Sequence, residues 1–237
     1  MKTTTIIILM LGSLLLTSYE ASDTKTEPTK ESITEGFLST TGESDDIVNY
    51  SNKEIITPVL QMHFDNSVTK EEAFIRFNKQ VETYTDISIG PVYGTSKEWF
   101  YQIWINTGSQ TNAKTNGIIH LSVYFNTDRG GKHTSYINLN NPNYDRECGW
   151  DAYLIKTNIS NQPLSWVEVK HAHIRLKGTD GWFVKHFYVY VQNIDQTMPS
   201  LEHTTIISNP NRWLDNTIAD GWDYYHTGNI GVNRLNF

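Results

Sequence analysis

Two histidines separated by one residue form the pattern in this sequence that is best suited to metal chemistry. His171 and His173 lie in an alternating polar and apolar run, KHAHIRLK, which predicts a β-strand. Residues two apart on a strand face the same side of a sheet, so both imidazoles can reach one ion. Zinc needs at least a third protein ligand, and His186 is the nearest candidate, with Asp180 or Glu168 as an acidic partner. Alternatively, both histidines line the polar face of a sandwich strand, and strand pairing decides between the two interpretations.

The rest of the sequence offers few catalytic patterns. It contains no G-x-S-x-G, H-E-x-x-H or C-x-x-C motif, which argues against the enzyme classes that use them. The stretch DRGGKHTS, 128–135, lacks the glycine and the Ser/Thr that a phosphate-binding loop places around its lysine, so we expect a hairpin turn.

The segment 138–147 and the residue Cys148 can each be interpreted as structural or as functional. Oxygen donors at alternate positions of 138–147 suit calcium, but asparagine is also a common loop residue, and a plain loop is favoured. Cys148 is the only cysteine, so no intramolecular disulfide can form. We expect it to be a small buried residue, with pairing between chains as the alternative.

The N-terminus has the features of a secretory signal peptide. A positively charged start precedes the apolar run Ile6–Leu16, which is too short to span a bilayer. We therefore expect residues 1–21 to be removed and the protein to be secreted and extracellular, with no transmembrane segment thereafter. Sequons at Asn49 and Asn158 predict glycosylation sites, in agreement with export.

Charge is distributed unevenly along the chain. The formal net charge is −7, and residues 22–46 carry −5 of it through seven acids and two lysines. Their Ser/Thr/Glu-rich composition predicts a disordered acidic linker. The remainder is nearly neutral and contains no basic run, so we expect no nucleic-acid partner and no purely electrostatic docking on anionic lipid.

The elements that must position these residues are one helix and a series of short strands. In the extension 47–97, Thr69 and Glu72 form a capping box, and aromatic residues at helical spacing predict an amphipathic helix over 69–85. Beyond it, short apolar runs alternate with Asn, Gly, Asp and Pro clusters. The predicted strands are 99–106, 117–126, 134–139, 151–157, 166–176, 182–192 and 204–208, with an eighth at 87–93. This pattern predicts an all-β fold, an antiparallel eight-stranded β-sandwich with one N-terminal helix.

The order of these motifs resembles the PLAT/LH2 domain family. The run WFYQIWINTGSQTNAKTNGIIHLSVYF, 99–125, is similar to the opening strand, Thr-Gly loop and second strand of that family. GWDAYLI, 149–155, is similar to its acidic-then-aromatic strand. Trp182 stands at the start of the strand after the Gly/Asp turn, and NRWLD, 211–215, is similar to the closing Trp-Leu motif. The resemblance covers 98–215.

Segments on either side lie outside the resemblance. They are the extension 47–97 and a C-terminal tail, 216–237, which contains DGWDYYHTGN.

The resemblance implies a β-sandwich module that contacts lipid surfaces or other proteins. It also implies a calcium site, for which Asn116 and Asp180 are the candidate ligands. Many family members have a His-Asp pair where this chain has Leu176 and Lys177, and a lysine there would repel a cation.

We therefore expect a secreted, non-enzymatic binding protein. Amphipathic aromatic rings near loop ends suit a membrane surface or a protein interface, and Trp150, Trp182 and Trp222 are the candidates. The alternatives are a secreted metal-dependent enzyme that uses the His171/His173 region, and an effector or toxin-like protein in which 47–97 is a separate functional piece.

Overall fold

The computed structural model describes residues 55–84, 99–140, 146–157, 159–178, 180–192, 203–215 and 221–236. The chain divides into two compact units, 1–48 and 49–237, and these residues all belong to the second. The predicted signal peptide, the acidic linker, the eighth strand and both sequon asparagines lie outside the described residues. No described helix is both long and apolar enough to cross a bilayer.

The described residues form one helix and twelve strands. In chain order they are β1 Leu60–Asp65, α1 Lys70–Tyr84, β2 Phe100–Thr107, β3 Ile118–Thr127, β4 Gly130–His133, β5 Ile137–Asn138, β6 Gly149–Lys156, β7 Trp166–Lys177, β8 Trp182–Gln192, β9 His203–Ser208, β10 Arg212–Leu214, β11 Trp222–His226 and β12 Leu235–Asn236.

The strands form two antiparallel sheets. The first sheet has the order β1-β6-β2-β8-β10, with β9 also paired to β8. The second has the order β11-β7-β3-β4, with β12 paired to β7 and β5 to β3. The predicted all-β sandwich is confirmed, and the predicted strands coincide with β2, β3, β5, β6, β7, β8 and β9 within a few residues.

The main core lies between the two sheets. On β7 the apolar residues Val167, Val169, Ala172, Ile174 and Leu176 are buried, while their neighbours are only partly covered. They pack with residues of the first sheet in one apolar cluster. The alternation therefore leaves the polar side chains of β7 on the outer face of the second sheet.

Helix α1 covers the outer face of the first sheet. The hydroxyl of Thr69 accepts a hydrogen bond from the backbone N–H of Glu72 at 3.2 Å, which is one of the two bonds of a capping box, while the carboxylate of Glu72 bonds Arg76. Ala73, Phe77 and Val81 are buried in a second apolar cluster together with Trp104 of β2. Because its two faces pack on the helix and on the main core, β2 is buried along its whole length.

The described parts of the predicted extension and tail contribute strands to the two sheets. Strand β1, which lies within 47–97, pairs with β6 over six residues. Strands β11 and β12, in the predicted tail, both pair with β7. Short runs such as WDYYH carry too little alternation to indicate a strand, and their pairing depends on tertiary contacts.

Candidate functional site

Two of the three tryptophans predicted to make surface contacts lie in the interior. Trp182 is 0% exposed, and its indole N–H donates to the hydroxyl of Thr107 at 2.9 Å. Trp150 is 8% exposed and belongs to the apolar cluster beneath α1. Both therefore stabilise the core, because their large apolar rings gain most from burial. Trp222 is half-buried at the edge of the second sheet.

The residues predicted to bind calcium lie side by side at one end of the sandwich. The backbone N–H of Asn116 donates to a carboxylate oxygen of Asp180 at 3.3 Å. The backbone carbonyl of Asp180 accepts from the hydroxyl of Thr115 at 3.0 Å. These bonds tie two loops together, and calcium binding at this place stays a prediction.

A buried ion pair stabilises the same end of the molecule. The guanidinium of Arg146 donates to the carboxylate of Asp151 at 2.7 Å and to the carbonyl of Leu139 at 2.6 Å. The other oxygen of Asp151 contacts Nδ1 of His63 at 3.0 Å, and this hydrogen bond is the main cause of a raised pKa of His63. With its charges paired and bonded, this network has a structural role.

The outer face of the second sheet carries the densest group of functional side chains. Alternate residues of β7, His171, His173, Arg175 and Lys177, lie on this face. Their partners across β3 are, in the same order, Tyr124, Ser122, His120 and Ile118, and directly opposed residues share a face of the sheet. Strand β11 adds His226 opposite His173, Tyr224 opposite Arg175 and Trp222 opposite Lys177.

At one end of this face, Arg175 is held between two aromatic rings. Its guanidinium carbon lies 3.6 Å from the ring centroid of Tyr136 and 4.0 Å from that of Trp222. Lys177 lies 5.7 Å from the same tryptophan ring. We call Tyr136, Arg175, Lys177, Trp222 and Tyr224 the aromatic–basic patch. Cation–π contacts of this kind hold a guanidinium in place while leaving its charge available.

The polar contacts of Arg175 include no carboxylate among the described residues. One terminal nitrogen lies 3.0 Å from Nδ1 of His120. Burial and, to a smaller extent, the positive charge of Arg175 lower the pKa of His120 to about 4. The imidazole is therefore neutral at pH 7 and accepts this bond. The Nε–H of Arg175 is buried and has no hydrogen-bond partner in the part of the chain that the structure describes.

At the other end, four imidazoles form the histidine cluster: His133, His171, His173 and His226. The ring centroids of His173 and His226 are 4.1 Å apart, and those of His171 and His226 are 4.8 Å apart. His133, from β4, lies 5.3 Å from His171 and 5.5 Å from His173. The hydroxyl of Ser122, which lies opposite His173 on β3, is 3.4 Å from Nδ1 of His133.

The loop after β11 positions two of these rings. Asn229 places its side-chain oxygen 2.8 Å from Nδ1 of His171. The backbone N–H of Gly228, at a φ of 74°, donates to Nδ1 of His226 at 2.9 Å. Gly231 then bonds the carbonyl of Lys170 at 2.9 Å, so closely that a Cβ would overlap the backbone of β7. Glycine is required there because only it permits this approach.

The predicted partners of His171 and His173 are not the ones that the fold supplies. His186 lies on β8, in the other sheet, where its ring stacks on Trp150. The carboxylate of Asp180 accepts from the loop of Asn116, and that of Glu168 accepts from Lys170 at 2.7 Å.

The other two histidines of the cluster lie on strands whose position near β7 could not be predicted from the sequence. His226 lies in the segment taken for a tail, and His133 lies in a hairpin strand of four residues. The signal for His226 was its place at the end of the aromatic run WDYYH.

Comparison with known proteins gives partial likenesses of fold. No protein-family model and no curated protein matches the chain. Coral 8R-lipoxygenase, which calcium activates through a C2-like domain, is 16% identical over 54% of this chain, with a TM-score of 0.36. Clostridium perfringens alpha-toxin from the avian strain SWCP is 18% identical over 66% of this chain, with a TM-score of 0.37.

The matching region is a minor part of either protein. This chain covers 16% of the lipoxygenase and 37% of the toxin. Membership of the PLAT/LH2 family therefore stays a prediction from the sequence motifs.

Proposed function

We propose that this chain is a secreted, non-enzymatic binding module that contacts membrane surfaces carrying anionic phosphate headgroups. The contact surface is the aromatic–basic patch on the outer face of the second sheet. The observation that carries this proposal is the guanidinium of Arg175, held between Tyr136 and Trp222 without a carboxylate partner among the described residues.

A fixed, uncompensated guanidinium is suited to phosphate. Its parallel N–H groups match the spacing of two phosphate oxygens, and the bonds are charge-assisted. Because the rings of Tyr136 and Trp222 already restrict the side chain, less rotamer entropy is lost when a ligand binds. Lys177 is exposed two residues further along the strand and supplies a second positive charge.

The aromatic members of the patch suit the interfacial layer of a bilayer. Tyr224 is 42% exposed and lies opposite Arg175, beside Trp222. Tyrosine and tryptophan are enriched at headgroup depth because their rings are apolar and their N–H or O–H remains hydrated. Residues 47–237 are nearly neutral overall, so we attribute binding to this local patch and not to a general attraction between charges.

Vesicle co-sedimentation tests the proposal. The chain is mixed with phosphatidylcholine vesicles with and without phosphatidylserine, and inorganic phosphate is added as a competitor. We expect binding to the anionic vesicles and about tenfold weaker partitioning of Arg175→Gln, since a hydrogen bond to a charged group contributes about 1.5–3 kcal/mol. The matched control is Arg129→Gln. Arg129 is an exposed arginine of the second sheet that lies 3.8 Å from the carboxylate of Asp128.

Each result has a defined meaning. Equal loss of binding in Arg175→Gln and Arg129→Gln would contradict the assignment to the patch. Absence of binding to every vesicle would exclude the membrane target and would leave a protein partner. An EGTA arm tests the calcium site: binding that requires calcium, and that Asp180→Asn removes, would move the contact to the loop of Asn116.

A further inference from the structure

We infer that the histidine cluster is a binding site for a divalent transition metal ion, held by His171, His173 and His226 with His133 as a fourth ligand. The inference does not depend on the proposed membrane contact, because its residues and its chemistry are different. Imidazole nitrogen is a preferred ligand of zinc, copper and nickel.

The fold brings the ligands together from three separate strands. His171 and His173 alternate on β7, and His226 lies directly opposite His173 on β11. His133 lies on β4 opposite Tyr124 of the intervening strand β3, and its ring centroid is 5.3 Å from that of His171 and 5.5 Å from that of His173. Strands β7 and β11 are hydrogen-bonded neighbours, so their rings have a fixed relative placement that an ion can exploit without backbone movement.

The distances between the ring nitrogens are somewhat longer than those between the ligands of a bound zinc ion. One ring nitrogen each of His171, His173 and His226 lies within 4.8 Å of the others. Tetrahedral zinc with bonds of about 2.0–2.1 Å separates its ligand nitrogens by about 3.3 Å. We expect rotations of the imidazole rings to close this difference.

The hydrogen bonds of two rings prepare nitrogen lone pairs for an ion. The side-chain oxygen of Asn229 accepts from Nδ1–H of His171, which leaves the lone pair on Nε2 of that ring. Metal-binding histidines commonly donate their second nitrogen in this way. Nε2 of His173 is buried and has no hydrogen-bond partner among the described residues, and a bound ion would satisfy it.

His226 is the weakest of the ligands. Its Nδ1 accepts a hydrogen bond from the backbone N–H of Gly228, so it must exchange that bond or its tautomer when it binds an ion. It is also exposed, unlike His171 and His173, which are partly covered. We therefore assign the main contribution to the two histidines of β7.

The composition of the cluster selects the class of metal. No described carboxylate lies in it, because the acid of β7, Glu168, is paired with Lys170 at 2.7 Å. Calcium and magnesium need several oxygen ligands. The all-nitrogen site therefore favours zinc or copper, and it is chemically distinct from the predicted calcium site at Asn116 and Asp180.

Isothermal titration of the untagged chain with zinc tests the inference, with calcium as the control ion. We expect a single zinc ion to bind and calcium not to compete for the site. Loss of a ligand's hydrogen-bond partner lowers metal affinity roughly 10–100-fold, and we expect a decrease of that size for Asn229→Ala. His173→Gln removes a ligand itself and should lower zinc affinity by more.

The chain contains a matched pair of controls. His186 lies on the other sheet and bonds Asn209 at 2.7 Å, as His171 bonds Asn229, but it belongs to no cluster. His186→Gln and Asn209→Ala should leave zinc affinity unchanged. Near-ultraviolet circular dichroism of each variant separates loss of the site from loss of the fold. Zinc binding weaker than about 1 mM, or equal effects of His173→Gln and His186→Gln in folded proteins, would overturn the inference.

Discussion

His120 shows how one side chain on the outer face of the second sheet depends on its neighbours. It is buried, its ring contacts those of Tyr136 and Trp222, and its Nδ1 accepts a hydrogen bond from Arg175. Protonation would replace this bond with repulsion between two cations. The neutral imidazole is therefore needed to hold the guanidinium in the aromatic–basic patch.

This dependence predicts that acid destabilises the protein through His120. Its pKa is about 4 in the folded chain and about 6.5 when unfolded. Stability from the neutral ring is thus fully present above pH 6.5 and is lost as the pH falls towards 4. The raised pKa of His63 acts in the opposite sense, because its contribution is present below pH 6.5 and is lost as the pH rises.

Urea unfolding at pH 7.5 and pH 5 measures the effect. The free energy of unfolding of the native chain should fall between these values by more than that of His120→Asn, so that the difference isolates His120 from His63. An equal fall in both proteins would show that His120 is not held neutral by this environment.

At the scale of elements, strand β7 carries more residues of the patch and the cluster than any other described element, and helix α1 packs on the other sheet. The alternation of β7 was readable from the sequence, which placed His171 and His173 on one face. The sequence could not show that the register against β3 shifts between Tyr124 and Phe125, or that β11 would supply His226. Both depend on contacts between segments far apart in the chain.

The capping box and aromatic spacing predicted helix α1 over 69–85, and it extends from Lys70 to Tyr84. The packing partner of the helix could not be predicted, because the sequence does not show which sheet it covers. Phe77 packs edge-on against the indole of Trp104, with ring centroids 5.3 Å apart. This contact makes the helix the cover of the first sheet and leaves the second sheet open.

The helix therefore offers a prediction about stability with an internal control. Phe77→Ala should lower the free energy of unfolding by about 3–5 kcal/mol, because it leaves a cavity under the helix. Ile75, in the same helix, is 68% exposed, and Ile75→Ala should change stability by no more than about 0.5 kcal/mol. Thermal unfolding of both variants measures the difference. Similar losses would contradict the packing of α1 on the first sheet.

At the scale of the whole molecule, the two sheets have different tasks. The helix covers part of the outer face of the first sheet, in which the predicted contact residues Trp150 and Trp182 belong to the core. The second sheet has one open face, on which the aromatic–basic patch and the histidine cluster lie end to end along β7. The sandwich could be predicted from strand spacing and turn residues. The open face could not be predicted, because the sequence does not show which sheet the helix covers.

The edge strands of the sandwich were also difficult to predict from the sequence. The motifs of 98–215 include the strands β2 to β10, whereas edge strands such as β1 and β11 are short and weakly patterned. Their place is set by pairing with β6 and β7, which no local pattern encodes. Of the predicted tryptophans, only Trp222 lies on the functional face, and it belongs to one of these edge strands.

The central claim is that the outer face of the second sheet is the contact surface. The most direct test is nuclear magnetic resonance of the ¹⁵N-labelled chain titrated with short-chain phosphatidylserine, with short-chain phosphatidylcholine as the neutral control. We predict that the anionic lipid shifts the Arg175 Nε–H and Trp222 indole N–H signals. The signal of the buried indole N–H of Trp182, which is bonded to Thr107, should not shift. Unchanged signals of Arg175 and Trp222, together with shifts centred on Asp180, would contradict it.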